Sequence, residues 1–183
     1  LGYGDVNLPE KDMHTTSYWF TVPRGLLRDL PFSRAEILDG LAGLAYSLHH
    51  LAAMILMADI RDIDACIGDK SGEFFLRSGR DGRAVAAASA QKAAPPDSSN
   101  SLRLDDFDPT LFLFDAYPGG IGFSELLFEE HERLLNAARQ LIAGCPCTHG
   151  CPSCVGPTLE VGPAGKEAAL AILKLISDEI PLH

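Results

Sequence analysis

Four of the five cysteines in this 183-residue chain lie within a single ten-residue stretch, in the spacing C-x-C-x3-C-x2-C. They are Cys145, Cys147, Cys151 and Cys154. Four thiolates this close can meet at one tetrahedral ion, with Zn–S distances of about 2.3 Å. Because an all-cysteine shell leaves no open coordination position, the site indicates structural support rather than catalysis. The spacing predicts a structural Zn²⁺ ion held by a knuckle, residues 145–154.

Two other uses of these thiols stay open on the sequence alone. An iron–sulfur cluster also takes four cysteines, whereas disulfides would close very short rings that strain the S–S geometry. Pro146, Gly150 and Pro152 favour a metal, because they bend the chain into tight turns that direct successive sulfurs inward. His149 could replace one thiol, but an exposed loop position suits it better when four sulfurs already fill the shell.

The composition limits the class of protein. An apolar content of 46% and a charged content of 22% are typical of a soluble globular chain, and 183 residues can bury one substantial core. We therefore expect a single domain over residues 1–183. A net charge of −10 argues against a surface that binds duplex DNA throughout. The start shows no secretory leader pattern, and clustered thiols fit a reducing cytoplasm.

Strands and helices must position the knuckle. Alternating or continuous apolar residues predict strands over 15–22, 60–67 and 110–117, and apolar stripes predict helices over 33–58, 123–143 and 164–180. Ser33-x-x-Glu36 is a capping box that begins the longest helix. His49 and His50 near its middle argue against a membrane span, so we expect no membrane partner. The pattern predicts an α/β fold: a small mixed β-sheet packed by long helices, with the four-cysteine zinc knuckle.

Two segments stand apart from these elements. Residues 1–14 are punctuated by Gly and Pro and predict an extended lead-in or linker, and residues 68–106 predict a partly flexible insertion. The insertion contains the one locally basic stretch of the acidic chain. Such a stretch is either a solvated loop or a set of phosphate contacts. The candidate nucleic-acid contacts are Arg77, Arg80, Arg83, Lys92 and Arg103.

A glycine-rich loop follows the third predicted strand. Asp115 ends the apolar run, Gly119, Gly120 and Gly122 follow, and a helix is predicted next. A strand, a glycine-rich turn and a helix N-terminus together can cradle an anion. The simpler interpretation is a tight turn that requires residues without a Cβ atom.

Three segments together resemble a known family: FDAYPGGIGFSELL, CPCTHGCPSCVGP and the end of the long helix, LMADIRDID. They resemble the zinc-binding C-terminal (MZB) domain of mitomycin-repair-factor type DEAD/DEAH-box helicases of superfamily 2. The opening, GYGDVNLPEKDMHTTSYWFTVP, is similar to the beginning of that domain. The resemblance implies zinc on the four cysteines. It also implies attachment to an ATP-driven motor that acts on DNA in repair, with the motor domains of the same polypeptide and single-stranded or forked DNA as partners.

The motor motifs are absent from this sequence, so we expect no enzymatic activity from it alone. The nearest look-alike to a Walker A element is the segment 162–167, GPAGKE, which has the wrong spacing and ends in Glu. No DEAD/DEAH segment occurs either. Two alternatives remain: a free-standing zinc-stabilised protein-interaction domain, and an enzyme with an anion pocket at the glycine-rich loop.

Overall fold

The computed structural model describes residues 13–69, 74–78, 84–86 and 108–179, and gives side-chain surroundings for 13–68 and 108–178. The strands are β1 (Ser17–Thr21), β2 (Ile63–Asp69), β3 (Phe74–Ser78), β4 (Ala84–Ala86) and β5 (Pro109–Asp115). The helices are α1 (Arg24–Leu27), α2 (Arg34–Leu56), α3 (Phe123–Glu129), α4 (His131–Gly144), α5 (Thr158–Val161) and α6 (Gly165–Glu179).

The five strands form one sheet in the order β1-β5-β2-β3-β4. The predicted α/β class, with a small sheet packed by long helices, is confirmed. The expected mixed sheet is corrected, because every described strand pairing is antiparallel. Strand β5 lies between β1 and β2, and runs antiparallel to both. Among the described strands, those that share a direction are therefore never neighbours.

Helix α2 is the central element of the core, and the sequence predicts it closely. At its start the Ser33 hydroxyl accepts the Glu36 N–H at 3.3 Å, and the Glu36 carboxylate accepts the Ser33 N–H at 2.8 Å. This is the reciprocal capping box expected from the sequence. The helix ends at Leu56, and the C-cap residue Met57 has a left-handed backbone with φ 52°. Its buried stripe includes Leu41, Leu44 and Leu48, each 0% exposed.

Helices α2 and α6 approach each other closely through small residues. A Cβ atom on Gly40 would lie 2.6 Å from the Cβ of Ala168, which is closer than side chains pack. Glycine at this position therefore lets the two backbones approach. The packing places the beginning of α6 beside the middle of α2, where the knuckle also lies.

The single helix predicted over 123–143 is corrected to two helices. Glu130 separates the two helices. Its backbone has φ −91° and ψ 14°, and its N–H donates to the carbonyls of Leu126 and Phe128. The break lets α3 pack on β1 and β5 while α4 packs on α2 and α6. The buried Tyr18 hydroxyl of β1 hydrogen-bonds Nδ1 of His131, the first residue of α4. Burial raises the pKa of Tyr18 and lowers the pKa of His131, so both groups of this pair favour their neutral forms.

The two segments set apart by the sequence are described only in part. Of the predicted lead-in 1–14, residues 13 and 14 are described, and the His14 carbonyl accepts the Gly119 N–H at 2.7 Å. The insertion 68–106 contributes the end of β2 and strands β3 and β4 to the sheet. Its expected flexible part lies outside the described residues. Within the described ranges, no helix is both long and apolar enough to cross a membrane.

Candidate metal centre

The knuckle begins where α4 ends. Helix α4 stops at Gly144, and Cys145 is already extended, with φ −73° and ψ 130°. The following Pro146 cannot continue a helix. Gly150 has φ 119°, a conformation that L side chains rarely adopt, and it reverses the chain between the two cysteine pairs. The Cys151 carbonyl then accepts the N–H groups of Cys154 and Gly156 at 2.9 and 3.1 Å, which closes the second turn.

These turns bring the four sulfurs together. The Sγ–Sγ distances are 3.5 Å for Cys145–Cys151, 3.5 Å for Cys147–Cys154 and 3.7 Å for Cys151–Cys154. All four ligand atoms lie within 4.8 Å of one another. A tetrahedral zinc with about 2.3 Å Zn–S bonds requires sulfurs about 3.8 Å apart, whereas a disulfide requires about 2.05 Å. The cluster therefore fits a tetrahedral ion, and the four thiols are not paired as disulfides.

The thiols differ in their electrostatic surroundings. Burial raises the pKa of Cys154 to about 12, whereas the backbone N–H of Ser153 lowers the pKa of Cys151 to about 7. The second effect is the one expected of a metal site, because an N–H group directed at sulfur stabilises the thiolate. A bound divalent cation deprotonates coordinating thiols outright, including a buried one. His149 is exposed and lies outside the group of four that the described residues bring together.

Two side chains of helix α2 hydrogen-bond to the main chain of the knuckle. The Tyr46 hydroxyl donates to the Pro152 carbonyl at 2.9 Å. The fully buried Ser47 hydroxyl donates to the Cys154 carbonyl at 2.7 Å and also lies 2.9 Å from the Gly43 carbonyl. Neither residue was predicted from the sequence as part of the site. The available signal was Ser47, a polar residue inside a continuous apolar stripe.

Helix α6 supports the knuckle from a second side. Lys166 is only 9% exposed, and its Nζ donates to the carbonyls of Cys145 and Cys147 at 2.6 and 2.5 Å. Both carbonyls belong to predicted metal ligands. The sequence drew attention to Lys166 only as part of a false Walker A segment. Its contact with the knuckle depends on folding, since Lys166 lies 21 residues after Cys145 and 19 after Cys147.

The glycine-rich loop already binds an anion, and that anion belongs to the protein. The Asp115 carboxylate is fully buried, and its Oδ2 accepts the N–H groups of Ile121, Gly122 and Phe123 at 2.5, 2.9 and 3.3 Å. Its Oδ1 accepts the Ser124 hydroxyl at 3.0 Å. The donors at this helix N-terminus are therefore directed at Asp115. An external anion at Gly119, Gly120 and Gly122 stays a prediction that these contacts do not favour.

The candidate nucleic-acid contacts are not brought together within the described residues. Arg77 belongs to β3, where its backbone pairs with Cys66 of β2. Arg80, Arg83, Lys92 and Arg103 lie outside the described ranges. Their role stays a prediction.

The fold and the cysteine cluster define an α/β module with four cysteines that could hold one metal ion. Residues 44–155, more than half of the chain, match the family model of the MrfA Zn-binding domain, MZB. The chain belongs to this family. The resemblance found in the sequence is thereby confirmed.

The chain is also similar in sequence to two individual proteins. The chain is 29% identical over 177 residues to the ATP-dependent helicase YprA of Bacillus subtilis, covering 97% of this chain and 19% of that protein. It is 40% identical over 48 residues to protein MJ1572.1 of Methanocaldococcus jannaschii, covering 26% of this chain and 43% of that protein.

Two solved structures are similar over nearly the whole chain. The crystal structure of the DUF1998 helicase MrfA bound to DNA has a TM-score of 0.63 at 30% identity, and covers 97% of this chain and 19% of MrfA. The same helicase bound to DNA and AMPPNP has a TM-score of 0.55 at 29% identity, and covers 95% and 17%. The chain thus spans about a fifth of the length of the helicases that it matches.

Proposed function

We propose that this chain is the zinc-binding accessory domain of an ATP-dependent DEAD/DEAH-box DNA helicase that acts in DNA repair. The observation that supports this most is the four-cysteine cluster within a member of the MrfA Zn-binding domain family. Its partners would be the motor domains of the same polypeptide and, through the complete protein, single-stranded or forked DNA. A cytoplasmic location fits, because reduced thiols are needed to hold a metal.

The metal would serve as a structural cross-link. Cys145, Cys147, Cys151 and Cys154 would hold Zn²⁺, which supplies a closed tetrahedral centre without an open position for chemistry. The chain's own residues fasten this centre to the core: Tyr46 and Ser47 hold the second turn, and Lys166 holds the first. The knuckle is thereby fixed to the α2–α6 pair, which gives the domain a rigid surface for bracing a motor.

We expect the full-length gene product and the 183-residue chain to differ in ATPase activity. The full-length gene product should hydrolyse ATP with stimulation by DNA, whereas the 183-residue chain alone should hydrolyse none, since it has no Walker A or DEAD/DEAH element. A phosphate-release assay with and without single-stranded DNA measures both. A full-length product without ATPase activity or DNA binding would contradict the proposal and favour a free-standing protein-interaction domain.

Strand guidance by the basic stretch is the second part of the proposal. In the intact helicase, replacing Arg77, Arg80 and Arg83 together with Ala should reduce unwinding more than DNA-stimulated ATPase activity. The motor would still hold the strand near the domain, so ATP turnover persists. If all three contact phosphates, the slope of log affinity against log salt should fall by about 3.

A matched triple variant controls for the loss of charge. Replacing Arg61, Arg133 and Arg139 with Ala also removes three positive charges, but from exposed positions elsewhere in the domain. This variant should unwind DNA like the wild type. Equal unwinding by both triple variants would assign the basic stretch to solvated surface.

A further inference from the structure

Lys166 has an unusual environment for a lysine. Its side chain is buried at the beginning of α6, and both hydrogen bonds described for its ammonium group go to main-chain carbonyls rather than to a carboxylate. Burial of an ammonium group is costly unless an opposite charge lies close by. Carbonyl dipoles alone offset only part of that cost, so the position requires a nearby negative charge.

The metal centre would supply that charge. Four thiolates around Zn²⁺ carry a net charge of −2, and the two carbonyls that Lys166 binds belong to the ligand residues Cys145 and Cys147. The ammonium therefore lies against the main chain of the two residues that would carry the first pair of thiolates. In this environment of low dielectric, the attraction between the cation and the anionic centre is stronger than at the surface.

The same contact holds the C-x-C turn in position. One ammonium group bridges the carbonyls of Cys145 and Cys147, at 2.6 and 2.5 Å, and so restricts the peptide units that carry both sulfurs. Lys166 lies one turn before Ala169 and beside Ala168, which packs against Gly40 of α2. The bridge is thus anchored in a closely packed helix pair of the core.

We infer that Lys166 is a positioning residue of the zinc centre, which offsets its negative charge and holds the Cys145–Cys147 turn in the ligating geometry. The inference rests on the proposed zinc occupancy. Lys166 would then act on the metal centre and not on nucleotide phosphates. The Walker A look-alike in which it lies, residues 162–167, does not indicate nucleotide binding.

The test measures zinc affinity and zinc release for the 183-residue protein without denaturant. Lys166→Met removes the charge and both hydrogen bonds but keeps most of the apolar stem, and Lys166→Gln keeps a shorter N–H donor group without the charge. Competition with a chromophoric chelator should show affinity about 10- to 100-fold weaker for Lys166→Met, the range for residues that support metal ligands. Lys166→Gln should lie between Lys166→Met and the wild type.

Lys174→Met is the matched control, because Lys174 lies on the exposed side of the same helix. Its zinc affinity should equal that of the wild type. A purely structural role for Lys166 would lower the midpoint of chemical unfolding but leave zinc competition under native conditions unchanged, and this result would overturn the inference. If Lys166→Met does not fold, wild-type zinc affinity in Lys166→Gln would overturn it equally. A wild-type protein that binds no zinc would instead refute the proposed metal centre itself.

Discussion

Cys151→Ser is expected to lose its zinc and to unfold at a much lower temperature than the wild type. Cys151 lies 3.5 Å from Cys145 and 3.7 Å from Cys154, so it is in contact with both cysteine pairs. Metal-binding free energy in such modules is folding free energy. We expect the free energy of unfolding to fall by at least about 4 kcal/mol, the upper range for single substitutions. Cys147→Ser should behave in the same way.

The fifth cysteine provides the control. Cys66 is buried in β2 and lies outside the four-cysteine group. Cys66→Ala should retain its zinc and lose only about 1 kcal/mol, as for deletion of a small buried group. Thermal unfolding by circular dichroism, combined with metal analysis of the purified variants, separates the two cases. Normal metal content together with normal thermal stability in Cys151→Ser would refute a structural metal at this site.

Asp115→Ala is expected to be the most damaging substitution outside the knuckle. It leaves three part-buried backbone N–H groups and the buried Ser124 hydroxyl without their acceptor. Hydrogen bonds to a charged group contribute about 1.5–3 kcal/mol each, and orphaned buried donors add a cost. Since the effects of one network are not additive, we expect a total loss of about 3 kcal/mol in urea unfolding.

Two further substitutions give stability losses with which that of Asp115→Ala can be compared. Asp115→Asn keeps an oxygen acceptor of the same shape for the loop N–H groups, and should lose about half as much stability. Asp178→Ala removes an exposed carboxylate from α6 and should be neutral within about 0.5 kcal/mol. Equal stability of Asp115→Ala and Asp178→Ala would show that the loop does not depend on its internal anion.

Local patterns predicted the parts of the fold that are decided locally. The capping box at Ser33 begins α2 at the expected residue, because its two hydrogen bonds involve positions three apart. The knuckle was equally accessible, since its four ligands lie within one short segment whose prolines and Gly150 define the turns. In both cases the residues that interact in space are also close together in the sequence.

Contacts between distant segments could not be predicted in this way. The strand order depends on β5, which inserts between β1 and β2 and makes all described pairings antiparallel. No local pattern specifies this insertion. The break at Glu130 has no Gly or Pro to signal it, and it is stabilised by the different packing surfaces of α3 and α4. Tertiary packing overrides helix propensity there.

The site shows the same division. The sequence left an anion cradle at the glycine-rich loop as an alternative to a simple tight turn, and the structure shows the Asp115 carboxylate of the preceding strand accepting the N–H groups of the loop. Lys166 and Ser47 belong to helices that precede or follow the knuckle by many residues, so their contacts with it appear only after folding. Sequence spacing identified the four candidate ligands, whereas the groups that hold them in place required the tertiary structure.

Elemental analysis of the purified protein tests the central claim most directly, which is that the four cysteines hold a structural zinc ion. The account predicts about one zinc per chain and a colourless protein, because four thiolates around Zn²⁺ form a closed shell without redox chemistry. Substitution with cobalt should give the visible spectrum of a tetrahedral tetrathiolate centre. Iron together with a broad visible absorption band would contradict the account and assign the cysteines to an iron–sulfur cluster.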